Sequence, residues 1–203
     1  MDHIETILGI LIGFGLSVAC GFRLLIPLLS LSIADQTGYL ELAEGFTWLG
    51  DWPALIGLSI ATTCEVITSK VPVAAEILDY VEAPFVVGAG IMLELSMITD
   101  LPPFLEWGLA VIAGGSAGLV HAGDAFLRPF VGGFTAGFGE PVFSAGEDVG
   151  SGIFSILAVT LPMLPTEYLV FVAIVFLVPV LCGAVLFVFL IKKLIGKRRQ
   201  VPA

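Results

Sequence analysis

Apolar runs of bilayer-crossing length follow one another along almost the whole chain, and this limits what it can fold into. A helix that crosses the hydrocarbon core needs about 20 mostly apolar residues. Inside that core the backbone must satisfy its own hydrogen bonds, which leaves helices or closed barrels. Charged residues make up 13% of the 203 positions, against about 25% in soluble domains. With a mean hydropathy of +1.06, the chain lacks the polar residues needed to cover a water-facing surface. It therefore reads as an all-α membrane protein of about six transmembrane helices, with no segment polar enough for a separate soluble domain.

The spacing predicts spans over 4–33, 53–71, 84–99, 104–127, 140–163 and 168–191. The first is long and carries Arg23 and Pro27, and a proline inside a helix kinks or breaks it. Acidic connectors are expected at 34–51 and around Glu76, Asp79 and Glu82, with a glycine-rich link from Gly132 to Gly139. Tyr39, Phe46, Trp48 and Trp52 suit an interfacial loop. The acidic start, Met1-Asp2-His3-Ile4-Glu5, argues against a cleaved signal peptide. Cys20, Cys64 and Cys182 lie singly in apolar stretches and read as packing residues.

Basic residues set orientation. Lys192, Lys193, Lys197, Arg198 and Arg199 form a tail expected on the cytoplasmic side of an inner membrane. An even number of spans then places both termini there, with Lys70 and Arg128 at cytoplasmic ends and Arg23 the exception. The chain reads as one transmembrane domain over 1–203, with halves at 4–99 and 104–191 and a basic tail at 192–203. Each half opens on a helix that carries Arg and then Pro, Arg23 with Pro27 and Arg128-Pro129. Each continues to an acidic-Pro helix start, Asp51-Trp52-Pro53 and Glu140-Pro141. Three-helix halves with such marks predict inverted repeats, a plan common in transporters. Small residues at four-residue spacing, such as Gly9/Gly13 and Gly114/Gly118, favour close helix packing inside the molecule before a homo-oligomer seam.

Ionisable groups inside apolar runs carry the functional signal, since each costs about 3 kcal/mol at a helix centre. His121, Asp124 and Arg128 share one helix face, and Ser144, Glu147 and Asp148 lie on another at a matching depth. Arg23 and Glu65 are the first-half counterparts. On a straight first helix Arg23 reaches the far edge and snorkels. Glu94 reads as a helix-end carboxylate. Carboxylates outnumber Arg128 in the second-half cluster, which points to a titrating acid or a bound cation. No metal motif, nucleotide loop or nucleophile–base set is present, so neither an enzyme, a cofactor nor a nucleic-acid partner is expected.

The run Gly15-Leu16-Ser17-Val18-Ala19-Cys20-Gly21-Phe22-Arg23 with Pro27 resembles the opening signature of a family of small bacterial membrane proteins, domain of unknown function 4126. Later marks agree: Glu44-Gly45-Phe46, Trp48-Leu49-Gly50, Trp52-Pro53, Glu65, and Gly139-Glu140-Pro141 followed by Ser144 and Glu147. The resemblance implies a membrane fold and brings no activity. The residues themselves favour a small transporter or channel with a carboxylate-rich pathway between the repeats, for an ion or small solute. The alternatives are a flippase-like protein that holds a lipid headgroup, and an assembly subunit whose polar residues only pin helices.

Overall fold

The computed structural model describes residues 3–99, 101–134 and 139–198. Asp100, the 135–138 part of the glycine-rich link and the tail from Arg199 onward lie outside the described residues, as does the Glu140 side chain. Regular structure among the described residues is entirely helical: α1 (His3–Phe22), α2 (Leu25–Gln36), α3 (Trp52–Thr68), α4 (Pro72–Met97), α5 (Pro103–Phe134), α6 (Glu140–Val159) and α7 (Leu169–Arg198), with a 3-10 helix at Glu44–Gly50 and two short ones before α7. Five helices are long and apolar enough to cross a membrane, within α1, α4, α5, α6 and the segment Thr166–Phe189; α2 and α3 are shorter apolar helices. The molecule is inside-out relative to a soluble protein. Ile56, Ile60, Val111, Phe171 and Ile174 face outward while Arg23, Glu65, Glu94 and Glu147 are buried. That arrangement suits hydrocarbon as the surrounding solvent.

The predicted first span is not continuous. α1 ends at Phe22 and α2 begins at Leu25. In an unbroken helix the Pro27 ring would meet the carbonyl of Arg23 and leave it without its amide donor. Placed in the first turn of α2, Pro27 removes an amide that needs no intrahelical partner. The freed amides of Leu24 and Leu25 donate to the Glu65 carboxylate of α3 at 2.9 and 3.2 Å. A side chain from another helix thus caps α2.

The break also reverses the chain. α1 runs antiparallel to α4, with Gly9 against the Met97 carbonyl and Ser17 Oγ donating to Gly90 O at 2.8 Å. Beyond α2, the Ala43 amide donates to Ser96 O at 2.9 Å, at the level where α1 starts. A 12-residue α2 pointing onward from Arg23 would leave a gap of about 35 Å to that carbonyl, more than seven residues can cover. α2 therefore runs back beside α1, and α3 returns. Contacts between Asp79 and Arg128, Ala19 and Ser151, and Gly123 and Gly183 set the directions of α5, α6 and α7. Among the described residues the helices α1 to α7 run alternately between the bundle's ends, seven where six were expected, so the start of α1 and the end of α7 lie at opposite ends. Both termini sharing one end was the expectation from an even count, and the extra turn at Arg23 overturns it. The same turn brings Arg23 to the end that holds Lys70, Arg128 and Lys192. Glu5, Asp35, Glu41, Glu44, Asp51, Glu106 and Glu167 lie toward the other.

The predicted third span was too short. α4 starts at Pro72, not Pro84, so the acidic connector is helical and Pro84 sits inside the helix. Tertiary partners explain the extension, since Asp79 pairs with Arg128 across to α5.

Glycines set the approach of the helices. A Cβ on Gly90 would stand 2.9 Å from Gly114 Cα, and one on Gly183 would stand 2.3 Å from Leu119 O. Gly108 faces open space. Gly183→Val should therefore destabilise the protein by about 1–3 kcal/mol through overpacking, while Gly108→Ala leaves it unchanged or slightly stabler. Thermal unfolding in detergent checks both; equal midpoints would refute the close α5–α7 seam.

Candidate functional site

Helices α4, α5 and α6 and the links after α1 and α3 bring charged side chains to one buried point at the break after α1. Glu147 of α6 lies at its centre, 4% exposed. It accepts from Arg23 Nη2 at 2.7 Å and from Arg128 Nη2 at 2.8 and 2.7 Å through its two oxygens. Arg23 Nε lies 2.8 Å from Asp148, and its Nη2 also donates to Ser144 Oγ at 2.7 Å. Arg128 Nε lies 3.0 Å from Asp79, and the guanidinium stands over the Phe143 ring with its carbon 5.9 Å from the centroid. Lys70 contacts Asp148 and donates to Ser144 Oγ at 3.2 Å, while Ser144 donates to Ser69 Oγ at 2.9 Å. Glu65 stands beside this network at the α2 cap, and Glu82 lies within hydrogen-bonding reach of it.

The sequence-predicted residues divide into three groups. Arg23, Arg128, Ser144, Glu147 and Asp148 meet directly. Glu65 adjoins them through the backbone of Leu24 and Leu25. His121 and Asp124 stand apart from the ion pairs. His121 Nε2 lies 3.3 Å from the Asp79 carbonyl. Asp124, the expected local partner of Arg128, has no hydrogen bond to its Oδ2, because Arg128 turns to Asp79 and Glu147 instead. Snorkelling does not describe Arg23, which is 2% exposed and paired; the chain break, not a helix end, sets its position. The sequence reading missed Ser69, Lys70, Asp79 and Glu82. A signal for two of them existed: Asp79 and Glu82 continue the three-to-four-residue periodicity of α4 back from Val86.

Across the network, Arg23, Lys70 and Arg128 face Glu65, Asp79, Glu147 and Asp148, with Glu82 and Asp124 nearby. Carboxyls outnumber bases, so the network can take up cationic charge or protons. Among the described residues no three His, Cys, Asp or Glu side chains converge as a metal site. A cavity of about 590 Å³ between α4 and α5 reaches the network. Glu76, Asp79, His121 and Arg128 line its polar part, and Ala83 and Val87 belong to its apolar part.

A bundle of apolar helices around a buried ionic centre defines a polytopic helical membrane protein. Residues 10–195 match the family model described as Domain of unknown function (DUF4126), so the chain belongs to that family. No curated protein and no solved structure matches it.

Removing one member of a buried pair strands the other charge, at a cost of about 3–5 kcal/mol. Glu147→Gln takes the shared carboxylate from both arginines, and Arg128→Met leaves Asp79 without its cation, so both should destabilise strongly. Lys70→Met should cost at most about 1 kcal/mol, because the side chain is 34% exposed. Unfolding midpoints of the three variants in detergent give the order; a Lys70 effect as large as that of Glu147 would contradict the centre assigned to Glu147.

Proposed function

We propose that this protein is a small ion- or solute-conducting transporter whose pathway runs through the Arg23–Glu147–Arg128 network. The observation that carries this reading is the junction of that network with the α4–α5 cavity, where Asp79 and Arg128 belong to both. A structural salt bridge has no need of an adjoining cavity or of surplus carboxyls. A modest shift of α4 against α5 would exchange Arg128 between Asp79 and Glu147, and such exchange is a means of opening and closing a path.

The repeat takes a modified form in this reading. α2, α3 and α4 run opposite to α5, α6 and α7 in turn, so two inverted triplets flank α1 as a central helix. The Arg/Pro marks do not superpose under this pairing, because α1 and α5 run in the same direction. The orientation follows the bases: Arg23, Lys70, Arg128 and the tail face the cytoplasm, and the N-terminus faces the opposite side of the inner membrane. Single cysteines at Glu5 and Gly38 in a cysteine-free background should both react with an impermeant reagent on intact cells, and one at Gly196 should not. Protection of the Glu5 site would restore the even-span topology.

The apolar part of the cavity, with Ala83 and Val87 below Glu76 and His121, favours a second reading in which an amphiphile is handled. Reconstituted liposomes separate the readings. Flux of protons, sodium, potassium and chloride under a potassium diffusion potential tests conduction, and scrambling of a fluorescent phospholipid tests lipid handling. The variant Arg128→Met/Glu147→Gln should lose the flux. Full flux in that variant would overturn the pathway, and silence in every assay would leave the structural role.

A further inference from the structure

Glu94 lies one turn from the end of α4, where a carboxylate is expected to reach out to the membrane surface. It does the opposite. The side chain is 1% exposed and turned toward α1. Gly13 makes room for it: a Cβ there would stand 2.6 Å from Oε2 and 2.9 Å from the Glu94 Cα. Oε2 has no hydrogen-bond partner. Among the described residues no base forms an ion pair with the carboxyl. From α1 the neighbouring seam positions are Gly9, Gly13 and Ser17, and from α5 the buried positions facing α4 are Ala113 and Ala117. The segment that closes this end, bonded through Ala43 to Ser96 O, keeps Glu41 and Glu44 exposed to solvent, as Glu5 is on α1.

An ionised carboxylate with no partner is excluded from such surroundings far more strongly than a neutral acid. Glu94 also stands at one end of a line of α4 positions that reaches Glu82, faced by two polar side chains of α1. On α4 it shares a stripe with Gly90, Val86 and Glu82, four residues apart. On α1 the facing groups are the Ser17 hydroxyl, which bonds Gly13 O and Gly90 O at 2.8 Å each, and the Cys20 thiol, 3.9 Å from Val86 O. The line ends about 18 Å away at Glu82, beside Glu65 and the charged network.

We propose that Glu94 is a proton-binding site at the acidic end of the α1–α4 seam, and that the proton it holds is the ion exchanged with the Glu65–Glu82 end. The second half of this statement rests on the transport reading; the first does not.

Dicyclohexylcarbodiimide adds to protonated carboxyls in apolar surroundings and tests the site on the full-length protein in liposomes. Peptide mass spectrometry should find Glu94 modified at low pH, with modification falling as pH rises. Replacing sodium chloride by potassium or choline chloride should change nothing. Absence of modification at every pH overturns the proton site, and protection by sodium overturns it in favour of a metal cation. Proton uptake under a potassium diffusion potential tests the pathway. It should be lost in Glu94→Gln, whose melting midpoint stays at the unsubstituted value, and kept in part by Glu94→Asp. Unchanged uptake in Glu94→Gln overturns the exchange. If Glu94→Gln does not fold, the pH dependence of labelling in the unsubstituted protein still decides the site. Labelled Glu94 in a protein that passes no protons upholds the site and overturns the exchange; silence toward sodium, potassium and chloride as well overturns the transport reading.

Discussion

Glu147 holds two arginines from two separate parts of the chain, and the packing of the bundle's basic end depends on it. Arg23 comes from the break after α1, Arg128 from α5, and both guanidinium groups donate to one buried carboxylate. Two cations brought this close repel, and burial raises the cost of each. Further carboxylates must therefore offset the charge, and they do: Asp148 lies 2.8 Å from Arg23 Nε and Asp79 3.0 Å from Arg128 Nε. Each of those carboxylates fixes a further element. Asp79 draws the first three turns of α4 into the bundle, and Asp148 draws in Lys70 at the end of the α2–α3 hairpin.

The network requires Arg23 at the level of Glu147, and the break after α1 provides it. A helix that continued through Leu24 and Leu25 would bury their amides in its own ladder and leave Glu65 without donors. With the break, Glu65 receives both amides. It thereby satisfies an otherwise orphaned helix start where water is scarce. The reversal that follows collects the described basic side chains at one end of the molecule, so the charge asymmetry of the sequence and the path of the chain agree.

Away from the ionic centre the helices are held by close contact. In lipid no hydrophobic force drives helix onto helix, and small residues that admit close backbone packing take that role. Gly9 and Gly13 receive α4, Gly90 receives α5, and Gly183 receives α5 from the other side. α1 lies at the middle of these seams and is the most buried of the bilayer-length helices. One of the same glycines, Gly13, makes the space that the Glu94 carboxyl fills, so packing and candidate chemistry meet at one residue.

The sequence by itself determined the solvent and the class of fold, because apolar runs of bilayer length admit little else. It also located the starts of α5, α6 and α7 to within about one residue, although α5 and α7 run about seven residues past their expected ends, and it set the stripe of His121, Asp124 and Arg128 level with that of Ser144, Glu147 and Asp148, since both are fixed by distance along helices that flank one link. The proline at 27 announced an interruption. Tertiary structure alone decided what the interruption does. Whether a helix kinks or folds back depends on Glu65 and Ser96, which lie about 40 and 70 residues away, and no local pattern carries that information. The same holds for Asp79, which reads as connector until Arg128 gives it a reason to be helical. It holds for Glu94, whose inward turn depends on the absence of a side chain at Gly13. Periodicity reports which residues share a face; which face meets which is settled only when the helices pack.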